Sequence, residues 1–146
     1  MKKIWQQLIL TDKNYLSGES VLGIVENVIK IFKVRTVIVG DLVGAITGLR
    51  DFEGKELKSI EFLSKVKLAV QYDWAFFYMF ENSVTIGFDQ NDFKLSIQNA
   101  DITVRLADNS YVYVYTQNAF AIKQLKSLYP ESVLSEVEPS NLEVIF

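Results

Sequence analysis

Hydrophobic and polar positions along the chain follow two different periods. Between Ser17 and Lys33 the apolar residues fall at helical spacing, with Val21, Ile24, Val25, Val28, Ile29 and Phe32 on one stripe. Ser17 or Ser20 can cap this segment, and Lys30 and Lys33 sit in its last turn, where the helix dipole favours cations. The pattern predicts a helix over about 18–33. A second helix is predicted over Ala119–Leu128, capped by Thr116 or Asn118 and ended by Pro130. Its apolar side is Phe120, Leu125 and Leu128 with Ile122 nearby, and Lys123 and Lys126 face out.

Period two dominates the stretch 84–115, around which the other elements are ordered. It reads as four short strands: Val84–Phe88, Phe93–Ile97, Ile102–Leu106 and Tyr111–Tyr115. Clusters of Asp, Asn, Gln and Ser separate them, the mark of an antiparallel meander. In the first three strands one face is apolar and the other carries Thr85, Gly87, Lys94, Ser96, Thr103 and Arg105. The fourth is apolar on both faces, with Tyr111, Tyr113 and Tyr115 on one and Val112 and Val114 on the other. If the valines join the core, three tyrosines stand beside Arg105, a composition typical of binding hot spots. The other placement packs the rings into a core with their hydroxyls at its edge.

The remaining segments fit around this meander. Ile4–Leu10 is a short strand or a first helical turn, and Asp12–Asn14 turns the chain. Arg35–Val39 reads as a buried strand leading into Gly40, Gly44 and Gly48. That spacing matches neither phosphate-binding glycine motif, and no lysine follows, so a helix face, a turn or a bulged strand are the readings of the glycines. Asp51–Gly54 is a turn, and Lys55–Ser64 is helical, with Leu57, Ile60 and Leu63 in phase. From Val66 to Tyr72 the alternation suggests a strand, although the helix can also continue. Trp74–Phe80 is apolar on both faces and reads as a central strand; Leu142–Phe146 allows a last edge strand. The fold class is α+β: one domain, residues 1–146, with an antiparallel sheet of about five to seven strands packed on two or three helices.

Composition narrows the chemistry. The chain has no cysteine and no histidine, which excludes disulfides, thiolate zinc sites and Ser–His or Cys–His catalysis. The carboxylates Asp89, Asp92 and Asp108 lie in predicted turns, where such residues are common anyway, so no metal site, cofactor or catalytic residue is assigned. The N-terminal apolar run is too short for a secretory signal, and no stretch reaches the ~18 apolar residues of a membrane span. The expectation is a cytoplasmic protein with no membrane contact. Net charge is -3, but residues 71–146 carry 4 basic and 10 acidic side chains. Such an acidic half disfavours nucleic acid and suits a basic partner.

With no catalytic constellation, the expected function is protein binding. The candidate partner-binding residues are Tyr111, Tyr113, Arg105, Asp108, Glu136 and Glu138. In being short, acidic, free of His and Cys and built as one α+β domain, the chain resembles the small bacterial immunity proteins that neutralise toxins of neighbouring cells. The resemblance implies a tight complex with a cognate toxin domain, and an acidic surface suits a basic nuclease. The alternative is a carrier of a hydrophobic ligand in a cavity lined by Trp74, Phe76, Phe77, Tyr78, Phe80 and Phe88. An exposed sheet edge leaves monomer and homodimer open.

Overall fold

The computed structural model describes residues 4–11, 15–82, 88 and 92–142. Among these residues seven strands form one antiparallel sheet: β1 Trp5–Thr11, β2 Thr36–Ala45, β3 Glu56–Lys58, β4 Gln71–Phe80, β5 Ile102–Ala107, β6 Tyr111–Thr116 and β7 Val133–Val137. Their order across the sheet is β3-β2-β4-β5-β6-β1-β7, which puts the N-terminal strand beside the two last ones. Four α-helices accompany them: α1 Gly18–Phe32, α2 Ser59–Val66, α3 Phe93–Asn99 and α4 Ala119–Leu128. The α+β antiparallel architecture is the expected one. Among the described residues no helix is long and apolar enough to cross a membrane.

The sheet has a core on each side. On one face Leu8, Val37, Phe77, Val104 and Val114 meet Val21, Val25 and Val28 of α1, Phe62 of α2 and Ile122 and Leu125 of α4. The other face carries a smaller, more aromatic cluster of Trp5, Ile38, Phe76, Tyr78, Phe80 and Tyr115, joined by Ile97 and Phe93 of α3 and by Leu142. Helix α1 starts where Ser17 and Ser20 exchange side-chain-to-backbone hydrogen bonds in a capping box. It stops at Lys33, whose left-handed backbone donates its N–H to the Ile29 carbonyl.

The glycine-rich segment is the bulged-strand alternative. Pairing of β2 with β4 shifts between Gly40 and Val43 and again between Val43 and Gly44. The Arg50 guanidinium satisfies the carbonyls this irregularity exposes, donating to Gly44 at 2.9 Å and to Leu42 and Ile46 at 3.4 Å. The stretch is therefore a clamped sheet edge.

Several expectations are corrected. Phe93–Ile97 is helix, because Asp92 accepts from the Leu95 N–H and caps a turn in which Phe93 and Ile97 both face the sheet. Among the described residues the meander therefore runs through β4, β5 and β6. The expected strands at Val84–Phe88 and Leu142–Phe146 lie largely outside the described residues. The Val66–Tyr72 strand is absent: α2 ends at Val66, and β4 begins at Gln71. Helix α2 starts later than predicted, after β3, and buries Phe62 and Val66 while Ile60 is exposed. In α4 the buried stripe is Ala121, Ile122 and Leu125, and Phe120 and Leu128 face solvent. Small Ala121 contributes little to a hydrophobic pattern, yet it lets the helix approach closely.

Candidate functional site

The second face of the sheet is built in rows. Register places Tyr78, Thr103 and Tyr115 side by side on β4, β5 and β6, and Phe76, Arg105 and Tyr113 side by side in the next row. Alternation stacks the rows into columns. Phe76 and Tyr78 lie 5.6 Å apart and nearly parallel; Tyr113 and Tyr115 lie 6.3 Å apart and nearly parallel, and Tyr111 continues that column. Arg105 runs between the columns, its guanidinium carbon 5.6 Å from the Phe76 ring and 5.3 Å from the Tyr113 ring.

This centre is buried: Arg105 is 5% exposed, and Tyr78, Thr103 and Tyr115 are fully enclosed. The Thr103 Oγ1 and Arg105 Nε atoms have no hydrogen-bond partner among the described residues. Burial pushes the Tyr78 hydroxyl far above the ordinary phenol range; Asp41 and Asp92 add to the rise, and Ser96 and Arg105 oppose it. Burial likewise raises Tyr115, and the Arg105 charge works against the rise. At neutral pH these phenols are protonated, so the cluster offers hydroxyl groups, a cation and ring faces rather than a base.

Towards β7 the row opens. Ile9 pairs with Tyr113 on one side and with Val133 on the other. Ile9 and Tyr113 are half-buried, Tyr111 is 39% exposed and Val133 is 60% exposed. Among the described residues strand β7 ends the sheet, with β1 its neighbour in the strand order. The structure thus joins a buried, ring-lined arginine to an exposed tyrosine corner beside a sheet edge.

Arg105, Tyr113 and Tyr111 therefore come together, on the face opposite the valines. Arg105 lies inside that face, however, and does not line its surface. Asp108 sits at the tip of the same hairpin, where it and Asn109 take positive φ. Glu136 pairs with Gln6 on β7 and alternates away from Val133 and Val137, so it lies on the other side of the sheet. Glu138 follows β7 at the head of the turn Pro139–Asn141. Among the aromatic residues expected to share a cavity, Phe77 belongs to the helix-side core, and Phe76, Tyr78, Phe80 and Phe88 belong to the other.

A groove of about 670 Å³ that the hydrophobic pattern does not reveal lies on the helix side. Its walls are α1, the end of β1 and the connection from α4 to β7, with Leu10, Ile24, Val112 and Leu128 as apolar lining. Across one end Asn27 donates its side-chain N–H to the Tyr129 hydroxyl at 2.8 Å. The one sequence signal for it was Gly23, a glycine inside a strongly patterned helix. No protein-family model matches the chain, and no curated protein or solved structure does either.

Proposed function

We propose that this protein is a non-enzymatic binding module whose partner is another protein, and that it belongs to the immunity or inhibitor class. It acts in the cytoplasm by occupying a cognate toxin domain and blocking its active site or substrate path. The supporting observation is the corner formed by Tyr111, Tyr113, Ile9 and Val133, where rings and aliphatic groups are exposed next to the edge of β7, which no other described strand than β1 pairs with. Tyrosines backed by a rigid buried layer give large contact area at low entropic cost, and an open edge can accept a partner strand. Asp108 at the hairpin tip is exposed, so an acidic group adjoins the corner, which favours a basic partner such as a nuclease; Glu136 is exposed as well, on the opposite side of the sheet.

The test is affinity capture with the tagged protein from its native cells, followed by binding measurements on purified components. The expected result is one stoichiometric basic protein. Its affinity should fall at least tenfold in Tyr111→Ala or Tyr113→Ala and weaken as salt rises. If both variants bind like the native chain, this corner is not the interface.

A further inference from the structure

We propose that the groove between α1 and the α4–β7 connection is a separate binding site for a small aliphatic amine. Its size suits a small ligand, within the roughly 300–1,000 Å³ of such sites. Its chemistry selects the class. Leu10, Ile24, Val112 and Leu128 supply an apolar lining that fits an alkyl chain. Among the described residues Glu19 and Glu131 supply the charged groups of the lining, and no lysine or arginine is among them. Among the described residues Lys126 is a nearby cation, and it donates to the Ser132 carbonyl at 2.9 Å. A carboxylate ligand would meet two like charges here, whereas an ammonium would meet two opposite ones.

Gly23 adds an independent reason to read this space as a site. Interior glycine costs a helix about 1 kcal/mol against alanine. At Gly18, in the same helix, the reason is steric: an added Cβ would lie 2.3 Å from the Lys67 carbonyl oxygen. At Gly23 an added Cβ would meet nothing within 4 Å. No neighbour demands the glycine, and what lies over it is the groove, of which it is part of the wall.

Isothermal titration of the full chain with octylamine, octanol and octanoate tests the assignment, because the three probes share a chain and differ in charge. Octylamine should bind at least tenfold more tightly than octanol, and octanoate should not bind. The pair Glu19→Gln and Glu131→Gln should together erase the preference for the amine while leaving octanol binding in place. Gly23→Leu fills the groove with a better helix former, so it should abolish amine binding without lowering the melting temperature. Equal binding of octanoate, unchanged octylamine binding in Gly23→Leu, or binding of a lysine-rich peptide but not of octylamine would each overturn the proposal.

Discussion

Arg105 and Tyr113 face each other across the β5–β6 ladder, with the guanidinium carbon 5.3 Å from the ring centroid. Phe76 flanks the same group from β4 at 5.6 Å. A planar, weakly hydrated cation suits such a slot, and a compact ammonium does not. Arg105→Lys is therefore expected to destabilise the fold by about 1–3 kcal/mol in urea unfolding, from lost stacking and a harder desolvation. Arg105→Met keeps the volume and removes the buried charge, so it should be neutral or stabilising. A lysine variant as stable as the native chain would show that the rings do not hold this side chain.

Three tyrosines tie stability to alkaline pH. Burial raises the Tyr72, Tyr78 and Tyr115 hydroxyls above their ordinary value of 10.0, and Tyr72 also donates to the Val66 carbonyl at 2.7 Å. Above that value the unfolded chain loses these protons, while the folded chain keeps them. Their contribution is thus complete below about pH 10 and is lost as pH rises further. Each of Tyr72→Phe, Tyr78→Phe and Tyr115→Phe should reduce the alkaline slope of the unfolding free energy by up to ~1.4 kcal/mol per pH unit. An identical slope in all three variants would contradict the burial of these hydroxyls.

The two glycines of α1 predict opposite outcomes for one substitution. Gly18 donates its N–H to the Ala69 carbonyl at 3.0 Å, and an added Cβ there would lie 2.4 Å from that oxygen. Gly18→Ala must push the first turn off the α2–β4 connection, at an expected cost of about 3 kcal/mol. Gly23→Ala meets no neighbour and should stabilise by up to about 1 kcal/mol, read as a higher melting temperature.

What the sequence made legible follows from how local each determinant is. Helix α1 was readable because its capping serines and its stripe of Val21, Val25 and Val28 lie within one segment. Strand β4 was readable because a run such as Trp74–Phe80 can be buried on both faces of a sheet. Helix α3 was not, since Phe93, Leu95 and Ile97 satisfy a period of two, while Phe93 and Ile97 alone satisfy a helix. Only the packing of those two on Phe76 and its neighbours, together with the Asp92 cap, decides between them. The place of β1 beside β6 and β7 depends on pairings across more than a hundred residues, which no local pattern carries. The tyrosine column was legible as a pattern, but its face was not, because register is a property of the sheet.

Asp41 occupies a strained and charged position in the β2 bulge. Its φ is 51°, and burial, followed by repulsion from Glu53, raises its carboxyl above the ordinary value of 3.8. Glu53 is fixed there because its Oε1 accepts the Leu42 N–H at 3.1 Å. A raised carboxyl favours the neutral form in the fold, so the associated stability is present at low pH and lost as pH rises through the folded value. Asparagine tolerates the left-handed backbone and carries no charge. Asp41→Asn should therefore be more stable than the native chain at pH 7, and the difference should shrink as pH falls below the ordinary carboxyl range. Parallel urea titrations at the two pH values measure this directly. A gap that stays constant with pH would assign the effect to backbone geometry, and a less stable variant would mean that the Asp41 carboxylate holds the bulge together.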